Sequence, residues 1–131
     1  MSDWQAWELG RVVLAAAAVM YTGIWVQVTL LHWGAAFSSK AMWAPVLMTP
    51  PIVVAAALGV VDRGLFGWVA VVALAIGAVD GLYGLYRHIR GDVSQIGGLT
   101  VRNLIAGPPP VLPLAYSLIG VVGLLGVLWD A

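Results

Sequence analysis

The chain has 131 residues, 62% of them hydrophobic and 9% charged, with a mean hydropathy of +0.97. Soluble domains carry about 25% charged residues, so a water-soluble globular domain is excluded and a membrane protein is indicated. Six Lys/Arg balance six Asp/Glu with no basic block, which gives nucleic acid nothing to grip, and zero cysteines exclude disulfides, thiolate nucleophiles, iron–sulfur clusters and cysteine-bound zinc.

A helix needs about 20 mostly apolar residues to cross the hydrocarbon core. Four stretches meet this, residues 12–33, 42–61, 65–86 and 111–129. They predict one all-α domain over residues 1–131, four transmembrane helices in an up-down bundle with both termini on one side. The first stretch is expected to stay as an anchor. Its apolar run exceeds the roughly 7–15 residues of a signal peptide, and Asp3 and Glu8 precede it with only Arg11 positive.

The second span contains Pro45, Pro50 and Pro51. Two successive prolines remove two amide donors, so a kink is expected near Thr49. The long third loop carries a candidate interfacial helix capped by Asp92, with apolar residues at 93, 96, 99, 101, 104 and 105; Gly97-Gly98 interrupts it and Gly107-Pro108-Pro109-Pro110 ends it. Small residues mark packing faces: Ala15 to Ala18 on the first span, Gly77 and Gly81 on the third, and Ser117, Gly120, Gly123 and Gly126 on the fourth. Such faces let helix backbones approach closely, either within the bundle or against a partner helix.

Loop charges set orientation. Arg11 and Arg63 lie on the terminal side, and Lys40, Arg87, Arg90 and Arg102 on the other. This favours termini outside and the third loop in the cytoplasm. Trp4, Trp7, Trp68 and Trp129 mark one interface and Trp33 and Trp43 the other; Trp25 alone sits deep.

A carboxylate in hydrocarbon costs on the order of 2.5–3.5 kcal/mol, so Asp80 should face the bundle. Counting along the alternating spans brings Gln27, Thr49, Tyr116 and Ser117 to its depth. Such a polar layer can be an ion or ligand site, or a clamp in which Asp80 bonds Gln27, Tyr116 or Arg87. His32 and His88 end two helices that run the same way, the minimum arrangement for a six-coordinate haem b. No catalytic set, phosphate loop or metal-ligand cluster is present in the sequence, so an enzyme and a resident metal ion are not expected.

At His32-Trp33-Gly34-Ala35-Ala36-Phe37, Met42-Trp43-Ala44-Pro45-Val46 and Asn103-Leu104-Ile105-Ala106-Gly107-Pro108-Pro109-Pro110 with Pro113-Leu114, the chain resembles a group of small uncharacterised four-span bacterial membrane proteins. The likeness covers most of the chain. It departs from the group at Gly81, where the group tends to carry a histidine. The resemblance implies a four-helix fold in the bacterial inner membrane and no particular activity. The expected function is a non-catalytic accessory subunit of a larger respiratory or photosynthetic complex, in contact with lipid and with other subunits or a second copy. The alternatives are a proton- or cation-coupled transporter using Asp80 and a haem b anchor using His32 and His88.

Overall fold

The computed structural model describes residues 6–129. Four of its helices are long and apolar enough to cross a membrane: α1 (Leu9–Gly34), α2 (Trp43–Val61), α3 (Arg63–Gly91) and α5 (Val111–Leu128), with a short α4 (Val101–Ala106) before the last. They pack as a ring, α1 on α2, α2 on α3, α3 on α5 and α5 on α1. The parallel helices α1 and α3 therefore face each other across the diagonal. The chain is a multi-pass all-α membrane protein whose outer shell suits lipid: Val19, Leu30, Leu47, Val79 and Leu125 all turn outward.

Trp7, Trp68 and Trp129 are exposed at the end where α1 begins and α5 ends, and Trp33 and Trp43 at the loop end, as expected of rings that prefer the headgroup level. Trp4 and the charges of Asp3 and Asp130 lie outside the described residues. At the terminal end Arg11 stacks 4.3 Å from the Trp7 ring and donates from Nε to the Val60 carbonyl at 3.0 Å. Asp62 caps α3 by accepting from Leu65 N at 3.0 Å.

The third span is longer than its apolar run. At 1.5 Å per residue, the 29 residues of α3 reach about 43 Å against a hydrocarbon core of about 30 Å. Its last turns, with Arg87, His88 and Arg90, therefore belong to the loop-side interface. The interfacial helix also differs from expectation. Asp92 does not cap it but continues α3 into one π-helical turn, Asp92–Ile96. Gly97 and Gly98, at φ of +104° and +125°, then reverse the chain in a conformation that only glycine adopts cheaply. The helix restarts as α4 under a Thr100 cap, whose Oγ1 accepts from Asn103 N at 3.2 Å, and it exposes Val101 and Ile105 one turn apart.

α2 runs unbroken through Pro50 and Pro51. Those prolines leave the carbonyls of Val46 and Leu47, four residues earlier, without their helical donors. The Val46 carbonyl is taken up from outside the helix: Trp25 Nε1 of α1 donates to it at 2.9 Å. Trp25 thus fills a gap that a proline opened. Thr49 also donates from Oγ1 to the Pro45 carbonyl within α2, a second feature that bends helices.

The closest helix approach is the seam between α3 and α5. A Cβ added at Gly81 would lie 2.5 Å from the Ser117 backbone nitrogen, and one at Gly120 would lie 2.8 Å from that of Ala78. Ser117 Oγ crosses the seam to donate to the Ala78 carbonyl at 2.7 Å. Gly123 takes the Leu74 side chain, and Gly126 lies against the α1 backbone at Leu14 and Gly10. Gly77, Gly81, Ser117, Gly120, Gly123 and Gly126 are all buried within the bundle. Of the two uses open to these small-residue faces, packing within the chain is the one they serve here.

Candidate functional site

Midway through the bundle the core changes character. From the terminal end, Leu14, Ala17, Ala56, Ala70, Leu74 and Val127 fill the interior. The next layer is aromatic. Tyr21 is fully buried, with its ring 4.9 Å from that of Tyr116 in an edge-to-face pair. Its hydroxyl sits between two glycines, because a Cβ at Gly77 would lie 2.5 Å from it and one at Gly120 2.7 Å from it. From there it donates to the Tyr116 carbonyl at 3.1 Å. The Tyr116 hydroxyl reaches α2, 2.8 Å from Thr49 Oγ1. Since the Thr49 proton goes to Pro45, Tyr116 is the donor of that pair. This layer closes the lower half.

Above it, toward the loops, the helices enclose a cavity of about 590 Å³, within the roughly 300–1,000 Å³ of small-molecule sites. All four spans contribute to its wall. Val28, Pro45, Asp80 and Tyr116 line its inner end, and Ser39, Arg87 and Pro108 its loop end. Both histidines line it as well.

The histidines are held alike. His32 Nδ1 lies 2.8 Å from the Met42 carbonyl, and His88 Nδ1 lies 2.8 Å from the Pro109 carbonyl. A carbonyl only accepts, so in each ring Nδ1 is the donor, and in the neutral ring Nε2 keeps its lone pair. The turn after α1 supports the first of them. Ala36 and Phe37 adopt left-handed φ values of 54° and 46°, a strained choice for residues with a Cβ. That turn places the Phe37 ring edge-on to His32 and stacks it 4.0 Å from Trp43.

Asp80 does line the cavity, but the partners expected for it are engaged elsewhere. Tyr116 bonds Thr49, and Arg87 bonds Tyr83 Oη at 3.3 Å and Ser39 Oγ at 3.2 Å. Gln27 is exposed and is not part of the cavity wall. Ser117 is buried but bonds across the seam. The expected five-membered layer therefore resolves into a Tyr21–Tyr116–Thr49 network, a separate Ser117 link, and Asp80 on the cavity wall outside both. Sequence reasoning did not foresee the carbonyls of Met42 and Pro109, nor Ser39 and Tyr83. It also took Asp92 for a helix cap, whereas the carboxylate is fully buried without a hydrogen-bond partner among the described residues and is covered by Gly107.

Among the described residues no group of three or more His, Asp or Glu is placed to hold a metal ion. The cavity can instead take a molecule larger than an ion, with an acidic group at its inner end, two fixed imidazole lone pairs on its wall and a guanidinium at its loop end. No protein-family model, curated protein or solved structure matches this chain.

Proposed function

We propose that this chain is a non-enzymatic accessory subunit of a bacterial inner-membrane electron-transport complex, and that its working part is a ligand site in the loop-side cavity. The observation that carries this reading is the one-ended shape of the interior. A conduit needs polar groups toward both faces of the membrane, whereas polar lining here stops at the Tyr21–Tyr116–Thr49 layer and close-packed apolar residues follow. A cavity with polar lining toward one face only suits holding better than passing. The seam glycines are engaged within the bundle, so a partner subunit, or a second copy, would meet the lipid-facing side chains and the Trp-bearing edges.

Asp80 on the cavity wall favours a second reading, a proton- or cation-coupled carrier. Reconstitution into liposomes under a pH gradient separates the two. The accessory reading expects no flux above empty vesicles and, on extraction in mild detergent, other chains co-purifying. Flux present in the wild type and lost in Asp80→Asn, which keeps shape but cannot titrate, overturns it in favour of the carrier. Orientation follows the positive charges, with both termini outside. A Ser94→Cys variant should resist a membrane-impermeant thiol reagent in intact cells, and labelling from outside reverses the assignment.

A further inference from the structure

We propose that the ligand of this cavity is a b-type haem, an iron protoporphyrin held between His32 and His88. The proposal rests on reading the cavity as a ligand site and names its occupant. Four features of different kinds converge on it. The two imidazoles come from α1 and α3, the helices that face each other across the bundle diagonal, and both stand at the loop end of the same cavity. Each ring has its tautomer set by a backbone carbonyl 2.8 Å from Nδ1, leaving Nε2 as the ligating atom; this is the arrangement by which proteins orient metal-bound histidine.

The ligand count is the third feature. Two imidazoles that form no group with a third His, Asp or Glu among the described residues make a poor site for a bare ion. A porphyrin brings four nitrogens of its own and asks the protein only for the two axial positions. The fourth is the distribution of polarity. Val28, Leu31, Leu112 and Pro113 give apolar walls for a macrocycle, while Arg87, tethered to Ser39 and Tyr83 at the loop end, offers a guanidinium to a propionate carboxylate. A free anion would use Arg87 but leave two pre-oriented imidazole lone pairs without purpose.

The test is a haemin titration of the full-length purified chain in detergent micelles, followed by absorption and electron paramagnetic resonance spectroscopy. The expected result is one haem per chain with the signature of a low-spin, six-coordinate iron, and sharp α and β bands on reduction. His32→Ala and His88→Ala should each convert this to a five-coordinate, high-spin species. Free imidazole should restore the low-spin form in either variant, which a merely structural role for the histidines would not allow. Circular dichroism checks that the variants fold; if either does not, His32→Met and His88→Met, which keep a ligand of similar bulk, should stay six-coordinate with an altered spectrum. Haemin that stays high-spin with the wild type, or spectra unmoved by both alanine variants, overturns the assignment. A chain that refuses haemin yet co-purifies with partners and shows no flux would refute the haem while leaving the ligand-holding reading intact; flux that depends on Asp80 would remove that reading as well.

Discussion

The two halves of this bundle are built from the same four helices by opposite means. In the terminal half, glycine and alanine let backbones touch: Gly59 against Ala70, Gly123 against Leu74, and Gly126 against the α1 backbone. In the loop half, proline, histidine and tyrosine line a cavity, and only α3 and α5 stay in backbone contact beside it, at Gly81 and Ser117. Lipid offers no hydrophobic drive for helix association, so close packing must hold the bundle together. The comparison teaches that one half supplies the cohesion and the other is thereby released to carry polar groups and empty volume.

The largest test of this division is Gly126→Leu or Gly120→Leu. Each would drive a side chain into backbone that cannot move independently, and the loss should exceed about 3 kcal/mol, the upper end of ordinary overpacking; thermal melts in detergent should show no folded bundle. Gly23→Ala is the control, with nothing within 4 Å of its added Cβ, and should be neutral or stabilising by up to about 1 kcal/mol. Next is Leu74→Ala, which opens a void under Gly123 in the tight half and should cost about 2 kcal/mol or more. Leu112→Ala on the cavity wall should cost clearly less. If the two cost the same by the same denaturation assay, the division into a tight and an open half fails.

A smaller effect is expected where the halves meet. Trp25→Phe leaves the Val46 carbonyl without its donor and should lower stability by about 1 kcal/mol. Smallest is the coupling between Tyr116 and Thr49. A double-mutant cycle of Tyr116→Phe and Thr49→Val should return about 0.6 kcal/mol, the usual worth of a hydrogen bond between membrane helices. A coupling near zero would mean that the layer closing the cavity is packed rather than bonded.

Much of the architecture was legible beforehand. Length and hydropathy located the four spans because a bilayer constrains both at once, and alternation of direction then placed both histidines at one end. Depth was legible too, which is why Asp80, Thr49 and Tyr116 were grouped. Facing was not. Gln27 has the right depth and turns outward, since counting residues from an interface says nothing about rotation around the helix axis. The carbonyls that orient the imidazoles were invisible for a related reason: backbone acceptors carry no sequence signature, and those of Met42 and Pro109 reach the rings only through the turn geometry around Phe37 and the prolines before α5. The small-residue faces were read from their spacing, but spacing alone does not say whether a helix of the same chain or of another fills the groove.

The bond from Trp25 to Val46 also bears on how the chain is made. A helix that enters the bilayer alone must satisfy its own backbone, because hydrocarbon has no water to offer. α2 cannot meet that condition, for Pro50 leaves its Val46 carbonyl open, and the donor that closes it belongs to α1. The second span is therefore incomplete until the first lies beside it. Synthesis delivers α1 first, so the donor that α2 lacks precedes it in the chain.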